Sequence, residues 1–489
     1  MRKIIKLSLL SFILFVSSCS KGDDIIIEPN INDDINYFIW KGMNAFYFWQ
    51  SEVPNLANNR FSNLNELYNH FKDYSSPENS FNSLIYQKGV SDRFSWIVDD
   101  YVALENSFRG INQSTGMEFG LIRYSNNNKN VFGYVRYVIP NTDAALKGIM
   151  RGMIFNTIDG NQITDSNYTN LLFSDASSLN IGFADHNNGN PISNGSTTNL
   201  TKQQVFENPV AITKVINEGS KKVGYLLYNQ FSSSYDGQLN AAFNSFKTQG
   251  VNDLIIDLRY NGGGSVKTAT YLGSMITGQF NGELYSKEVW NDKVQAAVSP
   301  DRFLNYFTDK INITDQNGNI VLQETVNSLN FSKVYFIISG STASASELVI
   351  NSLRAYIDVK IVGTTTVGKQ VGSITLYDSD NLFRDGENLN SEHSYAMQPI
   401  VLQISNKDDL NESGGFIPGI TLPGVKLAED YGNLGVLGER SDPLLVRTLN
   451  FITTGSKGNF KNETQKYSEI YNSKLATPAG NNMYSDYRR

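Results

Sequence analysis

The sequence predicts a multidomain protein of the α/β class, with a small helical N-terminal domain, a β-rich module and a larger layer built on a mainly parallel sheet. Three changes along the chain indicate this order. Apolar and aromatic residues recur at helical spacing from Ile35 to about His70, and short alternating strands with Gly or Asn turns follow from about residue 107. From about residue 209 onward, apolar strands alternate with helical stretches, which is typical of a parallel sheet. At 489 residues, the chain is too long for one hydrophobic core.

The first 18 residues have the layout of a secretory signal peptide. Three early cationic side chains precede an apolar run that ends in small residues and is too short to span a bilayer. Cys19, the only cysteine of the chain, follows directly, and the motif VSSC resembles a bacterial lipobox. The resemblance implies a lipoprotein signal peptide over residues 1–18, lipidation of Cys19 and a polar tether over residues 19–33. The alternative is a small cysteine of the protein core.

The predicted lipid anchor and the net charge of the chain indicate where the protein is located and which partners it binds. The anchor implies a protein of the cell envelope, held on the membrane at the periplasmic face or at the outer surface of the outer membrane. The net charge of −7 is spread over 41 basic and 48 acidic residues, without a basic block that could follow a phosphate backbone. Nucleic acid is therefore not an expected partner. The single cysteine also excludes disulfides and thiolate metal sites.

The same patterns give approximate boundaries for the remaining segments. The sequence predicts a helical N-terminal domain over residues 34–106, the β-rich module over residues 107–208, the α/β domain over residues 209–455 and a polar C-terminal tail over residues 456–489. The tail is expected to be peripheral and is assigned no function.

Within the β-rich module, Val138 to Ile163 resembles the core of a PDZ domain. A strand, a short Ala-rich helix, a Gly turn and a second strand that ends in an Asp-Gly turn follow in that order. A PDZ domain adds an extended peptide to its sheet edge and holds the terminal carboxylate with backbone amides of a Gly-containing loop. The resemblance implies that this loop comprises Gly116, Met117, Glu118 and Phe119, although Glu118 is an unusual neighbour for a carboxylate. The alternative is a β-module that only packs between domains.

Two segments of the α/β region place unusual residues at strand ends. In IIDLRYNGGGS, the apolar strand Leu254 to Leu258 runs into three glycines, which permit close backbone approaches and expose N–H groups to negative charge. No GKS or GKT follows, which excludes a phosphate-binding P-loop.

The second segment, VYFIISGSTASASELVINSL, leads from a buried strand through small hydroxylated residues into a helix. A serine at such a turn exposes its Oγ beside aligned backbone amides, as an acyl-transfer nucleophile requires. The alternative is that Ser341, Thr342, Ser344 and Ser346 are helix caps.

The GGG after IIDLR, the SASE run and a later GK together resemble the carboxyl-terminal processing (tail-specific) peptidase family. The resemblance covers the PDZ-like region and residues from about 209 to 400, and it implies a ClpP/crotonase-like catalytic domain. It implies that the nucleophile is Ser344, three positions before Glu347, and that the general base is Lys369, 25 residues after the serine. It further implies an oxyanion hole formed by the backbone amides of Gly264 and Ala345.

A lysine serves as a base only when it is neutral, so burial must lower its pKa by about three units. The chain has only three histidines, His70, His186 and His393, and none lies near either motif. A histidine triad is therefore not expected, although His393 stays open as an alternative base. Members of the family commonly carry a glutamine four residues after the lysine, where this chain has Ser373. Ser373, or Gln370 beside the lysine, is the expected substitute in the second shell of the lysine.

The sequence therefore predicts a serine endopeptidase that cleaves proteins near their carboxyl ends through a Ser-Lys dyad and an acyl-enzyme. The expected partners are protein or peptide substrates with accessible carboxyl ends, and no metal or organic cofactor is implied. The alternative is a non-catalytic peptide-binding lipoprotein with a degenerate peptidase fold, which the departure at Ser373 favours.

Overall fold

The computed structural model describes residues 31–126, 129–314, 319–455, 467 and 469–485. The predicted signal peptide, the predicted lipidation site Cys19 and most of the predicted tether lie outside these ranges, as do residues 456–466 of the predicted tail. Among the residues described, no helix combines the length and the apolar character that a membrane crossing requires.

The N-terminal region is helical, as predicted, and its helices pack on the rest of the protein. Phe38 and Met43 of the first helix and Phe71 of the second are fully buried in a hydrophobic cluster that also contains Leu254 and Ile256 of the α/β layer. The helices therefore share one continuous core with that layer. The elements are α1 Ile31–Phe46, α2 Leu64–Phe71, α3 Pro77–Ser83, β1 Trp96–Val98 and α4 Tyr101–Phe108, with 3₁₀ turns at Gln50–Glu52 and Pro54–Leu56.

The next region is a β-rich module with its own hydrophobic core. Its strands are β2 Ile111–Ser114, β3 Met117–Arg123, β4 Val131–Val138, β5 Ile154–Ile158, β6 Asn161–Gln162, β7 Ser178–Asp185, β8 Ile192–Thr201 and β9 Gln203–Phe206, with helices α5 Asp143–Leu146 and α6 Tyr168–Leu172 and a 3₁₀ turn at Asn187–Gly189. The antiparallel sheet has the order β3-β4-β5-β7-β8, and β2 pairs separately with β9. The predicted succession of strand, short helix and strand is present as β4, α5 and β5.

The α/β layer contains the mainly parallel sheet that the sequence predicts. Its first elements are β10 Val210–Glu218, β11 Lys221–Tyr228, α7 Asp236–Thr248, β12 Asp253–Asp257, β13 Gly264–Ser265, α8 Val266–Thr277, β14 Leu284–Trp290, α9 Asp292–Ala297, β15 Leu304–Tyr306, β16 Lys310–Thr314 and β17 Ile320–Thr325. They continue with β18 Lys333–Ile338, α10 Ala345–Leu353, β19 Asp358–Gly363, β20 Val371–Ser373, β21 Leu376–Tyr377, β22 Ala396–Gln398, β23 Ile400–Ser405, β24 Gly424–Lys426 and α11 Pro443–Thr454, with 3₁₀ turns at Ser233–Tyr235 and Pro300–Phe303. The sheet order is β10-β11-β12-β18-β19-β24, and every pair except β10 with β11 is parallel.

Both faces of this sheet are buried, which explains why its strands are continuously apolar. Leu254 and Phe336 face the cluster shared with the N-terminal helices, whereas Ile255 and Ile337 face a second cluster with Leu449 of α11. Neighbouring strands β12 and β18 are parallel and in register. Their carboxyl ends therefore meet at one edge of the sheet.

The described part of the predicted tail is not peripheral. It forms β25 Glu469–Asn472, 3₁₀ turns at Ser473–Ala476 and Pro478–Asn481, and β26 Met483–Tyr484. β25 pairs with β3 at the edge of the β-rich module, and β26 lies between β13 and β20 in a second sheet of order β13-β26-β20-β23-β14-β15. The segment lacks a long apolar run, and backbone pairing holds it in place, so hydropathy alone did not predict its position.

A buried ion-pair network supports the chain that leaves β12. Arg259 is fully buried, and its guanidinium contacts Asp257 at 2.7 Å and Asp442 at 2.6 Å. It also lies 3.2 Å from Glu429, which binds Arg151 of the β-rich module at 2.7 Å. Burial opposes ionisation of Glu429, but Arg151 and Arg259 lower its pKa to about 2. The network therefore links the β-rich module to the base of the glycine turn.

Replacement of Asp442 by alanine is expected to destabilise the fold by about 3–5 kcal/mol, because it leaves a buried guanidinium without one of its partners. The same change removes the N-cap of α11, where the Asp442 carboxylate accepts from Leu444 N at 3.0 Å. Urea unfolding measures this loss. Glu439→Ala is the control, since Glu439 pairs with Lys214 on the surface, and it is expected to change stability by about 1 kcal/mol or less. Equal effects of the two substitutions would contradict this role of the network.

Candidate active site

The two motifs predicted from sequence meet at the carboxyl edge of the parallel sheet. Ala343 N donates to the Asn261 carbonyl at 3.1 Å, and Ser346 Oγ donates to the same oxygen at 3.1 Å. Asn261 immediately precedes the three glycines, so the glycine turn and the serine turn are hydrogen-bonded to each other. This contact follows from the parallel pairing of β12 with β18.

Ser344 occupies the strained position between the turn and helix α10. Its φ of 67° and ψ of −120° lie outside the regions that an L-residue normally adopts, at an expense of about 1–3 kcal/mol. The side chain is fully buried, and its Oγ has no hydrogen-bond partner among the residues that the structure describes. An uncommitted hydroxyl on a strained turn at a helix N-terminus is suited to nucleophilic attack.

The carboxylate of Glu347 connects the serine turn to the lysine loop. One oxygen accepts from Ser344 N at 2.9 Å and from Lys369 N at 2.9 Å. The other accepts from Gly368 N at 2.7 Å and from Thr366 Oγ1 at 2.5 Å. Burial raises the pKa of Glu347, and these four hydrogen bonds oppose the rise. One buried side chain thus fixes the backbone positions of the predicted nucleophile and the predicted base.

Lys369 lies in a fully buried site, as a lysine base requires. Its Nζ is 4.8 Å from the centre of the Phe94 ring. Burial lowers the pKa of Lys369 to about 7, and the carboxylates of Asp92 and Glu347 oppose this shift. The Nζ donates to the Asn481 carbonyl at 2.7 Å. A substantial fraction of the amine is therefore neutral near pH 7.

The glycine turn packs so closely that side chains are excluded. A Cβ on Gly263, where φ is 115°, would lie 2.6 Å from Ser344 Cβ and 3.0 Å from Ala345 N. A Cβ on Gly264, where φ is 135°, would lie 2.1 Å from the Phe231 carbonyl oxygen. The predicted oxyanion donors, the backbone amides of Gly264 and Ala345, belong to two turns that touch beside the nucleophile.

Ser373 and Gln370, the predicted substitutes for the family glutamine, differ in their contacts with the lysine. Ser373 Oγ donates to Gln398 Oε1 and lies 3.0 Å from Asn482 Oδ1, and that oxygen is 3.4 Å from Lys369 Nζ. Ser373 therefore reaches the lysine through Asn482. The Gln370 side chain is buried, and its amide has no hydrogen-bond partner in the described parts of the chain.

Sequence reasoning missed Gln398, Asn481 and Asn482. Gln398 accepts from Asn482 Nδ2 at 2.9 Å and completes the polar contacts around the lysine. Gln398 is the last residue of strand β22 and belongs to no recognisable sequence motif. The two asparagines lie in the region that the sequence predicts to be a tail. Only the asparagine-rich composition near residue 481 could have drawn attention to them.

The loop predicted to bind peptides lies in the same cleft as the glycine turn. The cleft has a volume of about 610 Å³, and its lining includes Met117, Glu118 and Phe119 as well as Gly262 and Gly263. Gly116, with a φ of 83°, immediately precedes β3, and the other three residues of the predicted loop, Met117, Glu118 and Phe119, are the first residues of that strand. Burial raises the pKa of Glu118 to about 7, and the nearby Glu207 carboxylate adds to the rise.

His393 is engaged elsewhere. Its Nε2 lies 3.0 Å from Asp378 Oδ2, and its Nδ1 accepts from Tyr395 N at 3.1 Å. Both ring nitrogens therefore have partners, neither of which is a serine hydroxyl.

The structure is an α/β protein in which one buried carboxylate binds the backbone N–H groups of a buried serine and a buried lysine, and two family models match parts of the chain. Residues 222–398 match the model of peptidase family S41, and residues 34–96 match the model of the peptidase S41 N-terminal domain. The chain belongs to peptidase family S41.

Individual relatives are more distant. The chain is 27% identical over 246 residues to the chloroplastic C-terminal processing peptidase of Tetradesmus obliquus, a match covering 47% of this chain and 46% of the relative. It is 25% identical over 177 residues to a probable CtpA-like serine protease of Staphylococcus epidermidis, covering 36% of this chain and 31% of the relative. The chain thus spans less than half the length of these curated relatives.

A solved structure confirms the multidomain α/β fold. The crystal structure of a putative S41 protease from Bacteroides fragilis NCTC 9343 superposes with a TM-score of 0.61 at 23% identity. The match covers 88% of this chain and 99% of that chain.

Replacement of Glu347 by glutamine is expected to disturb both reactive loops. The amide offers one acceptor oxygen where the carboxylate offers two, so buried N–H donors lose their partner and stability falls by about 2 kcal/mol or more. Peptide cleavage is expected to fall by about 10²-fold, because the nucleophile and the base lose their common support. Urea unfolding and steady-state kinetics measure the two effects.

The control is Glu412→Gln, which removes the charge from a partly exposed carboxylate that pairs with Arg354 at 2.7 Å. It is expected to change stability by about 1 kcal/mol or less and to retain cleavage. Wild-type kinetics in the Glu347→Gln protein would exclude the positioning role of Glu347.

Proposed function

We propose that the protein is a serine endopeptidase that cleaves protein chains near their carboxyl ends, with Ser344 as nucleophile and Lys369 as general base. The observation that carries the proposal is the buried Lys369, whose pKa is lowered to about 7 and whose backbone is bound to the same carboxylate as the nucleophile. A lysine with an ordinary pKa would be neutral in only about one molecule in a thousand at pH 7.4.

The proposed reaction assigns a role to each of these groups. Neutral Lys369 accepts the hydroxyl proton as Ser344 Oγ attacks the carbonyl carbon of the substrate. The backbone amides of Gly264 and Ala345 donate to the developing oxyanion, and the positive end of helix α10 adds to this stabilisation. Lys369 then protonates the leaving amine, which leaves an acyl-enzyme on Ser344. Water, deprotonated by Lys369, hydrolyses this ester.

The β-rich module serves, in this proposal, to capture the substrate. An extended chain pairs with β3 in place of β25, and its terminal carboxylate lies near the amides of Met117 and Phe119. A carboxylate at Glu118 would repel such an end. However, the pKa of Glu118 is raised to about 7, so a large fraction of this side chain is neutral at neutral pH and the repulsion is reduced.

The proposal includes attachment to the cell envelope through a lipidated Cys19, with the folded part outside the membrane. The composition of the segment between Cys19 and α1 is polar and acidic, which suits a tether more than a packed element. Protein chains with accessible carboxyl ends are the expected partners.

A non-catalytic peptide-binding protein is the second candidate, and Ser373 in place of the family glutamine favours it. The two candidates differ in what they expect of Ser344. In a binding protein, Ser344→Ala behaves as the wild type, whereas in a peptidase the same substitution abolishes turnover and preserves binding.

Ser344→Ala and Lys369→Met are each expected to lower cleavage of an unfolded protein with an apolar carboxyl end by at least about 10³-fold, since the two residues act as one unit. The methionine fills the buried site without a base. Lys360→Met and Ser193→Ala, the latter at an exposed serine of β8, are matched controls and retain cleavage within about threefold, as expected for substitutions outside the reacting groups. Cleavage that persists in the Ser344→Ala protein or in the Lys369→Met protein would exclude the dyad.

A further inference from the structure

Residues 469–485, here named the channel segment, run from the β-rich module to the candidate active site. The segment begins as β25, which pairs antiparallel with edge strand β3, with Glu469 opposite Ile122 and Asn472 opposite Gly120. Strand addition at a sheet edge is the mode by which an extended peptide binds such a module. β25 thus covers the sheet edge that a substrate joins in the proposed function, and the inference rests on that function.

The segment next passes the predicted carboxylate-binding loop. Phe119 N donates to Ser473 Oγ at 2.9 Å, and this hydroxyl donates to Glu118 Oε2 at 2.6 Å. The adjacent Lys474 donates to the Asn229 carbonyl at 3.0 Å. The Ser473 side chain therefore binds the first residues of β3, where the carboxylate of a substrate is predicted to bind, and the segment continues along the cleft.

Beyond the loop, the segment reaches the nucleophile. A Cβ placed on Gly263 serves as a reference point for the distances here. This point lies 2.6 Å from the Asn482 carbonyl oxygen, 2.6 Å from Ser344 Cβ and 3.0 Å from Ala345 N. Met483 pairs with Gly264 in the ladder of β26 with β13. The Asn482 carbonyl is thus adjacent to the nucleophile and to both predicted oxyanion donors.

The residues on either side of this carbonyl are held in built sites. The Asn482 side chain is 1% exposed, and its amide contacts Gln398 at 2.9 Å and Ser373 at 3.0 Å. Met483 is fully buried in the hydrophobic core. Lys369 Nζ donates to the carbonyl of Asn481 at 2.7 Å, so the segment also engages the base.

We propose that the channel segment blocks the peptide channel from the edge of β3 to Ser344: β25 covers that sheet edge, and the Asn482 carbonyl lies beside the nucleophile. An external chain must displace the segment before it reaches Ser344.

The ion pair between Glu469 and Arg136 offers a way to loosen the segment. The Glu469 carboxylate lies 2.5 Å from the Arg136 guanidinium and accepts from Tyr134 Oη at 2.6 Å. The Arg136 side chain is nearly buried and donates to Ser341 Oγ at 2.8 Å. Removal of the Glu469 charge weakens the bound state of the segment. The hydrogen-bonding partners of this carboxylate within the described residues, namely Arg136, Tyr134 and Asn472, do not include the nucleophile, the base or the glycine turn.

The test measures binding in the Ser344→Ala protein, so that cleavage does not interfere. A fluorescent peptide with the sequence of residues 467–485, YSEIYNSKLATPAGNNMYS, competes with the segment of the protein itself. Glu469→Gln in this background is expected to raise the apparent affinity for the peptide by about tenfold, because a larger fraction of channels is empty. Asp165→Asn is the control, since this exposed carboxylate pairs with Arg123 on the same module, and it leaves the affinity unchanged. Equal affinities in the Glu469→Gln protein and its parent would overturn the inference.

Two further readouts make the result specific. A peptide with aspartate in place of Met483 is expected to bind at least about tenfold more weakly, because the apolar site of Met483 excludes a charge. Equal binding of the two peptides would show that the peptide does not take the place of the segment and would overturn the inference. Amide hydrogen exchange is expected to increase in β3 of the Glu469→Gln protein and to remain unchanged in β12 and β18. Faster exchange throughout would indicate partial unfolding and would count against the inference.

The same variants separate this inference from the proposed function. With Ser344 intact, Glu469→Gln is expected to raise kcat/KM for an external substrate by about tenfold, in line with the larger fraction of empty channels. Tighter peptide binding in a protein that cleaves nothing would sustain the inference and reject the peptidase. Cleavage by the wild type, together with unchanged peptide binding in the Glu469→Gln protein, would sustain the peptidase and reject the inference.

Discussion

The geometry of the site depends on the four hydrogen bonds accepted by the buried carboxylate of Glu347. Nothing in the topology of a parallel sheet by itself aligns the turn that carries Ser344 with the separate loop that carries Lys369. Glu347 achieves this by accepting backbone N–H groups from both residues on one oxygen. The relative backbone positions of Ser344 and Lys369 are therefore set by the fold, and the contacts of Lys369 Nζ with Asn481 and Asn482 place the amine itself. In the proposed mechanism, Glu347 is thus a positioning residue, and Ser344 and Lys369 are the reacting groups.

The unfavourable features of the molecule are collected at one edge of the sheet. A strained φ at Ser344, a buried amine at Lys369 and a turn of glycines all reduce stability. Burial of both faces of the sheet offsets this loss of stability. The ion pairs of Arg259 stabilise the segment between β12 and the glycine turn. The N-terminal helices contribute to the same core, which makes them part of the support of the site.

The sequence was informative wherever a residue type had a local physical reason. The apolar runs predicted the parallel strands, and the 25-residue spacing predicted that Ser344 and Lys369 share a site. It was uninformative where position depends on backbone pairing. The sequence predicted a peripheral tail for Met483 and its neighbours, because one buried methionine among polar residues gives no periodic signal. Their positions can be predicted only when the edges of β3 and β13 are known. For the same reason, contacts around the lysine from Asn482 were not predictable.

The central claim is that Lys369 is neutral and available as a base at physiological pH. The most direct measurement is the titration of its ¹⁵N-labelled Nζ by NMR, with the resonance assigned by its absence in the Lys369→Met protein. The account predicts a pKa of about 7, with the amine protonated below that pH and neutral above it, because burial disfavours the charged form. A pKa of about 10.4, the value of an exposed lysine, would contradict the account, since Lys369 would then be charged and could not accept the proton of Ser344.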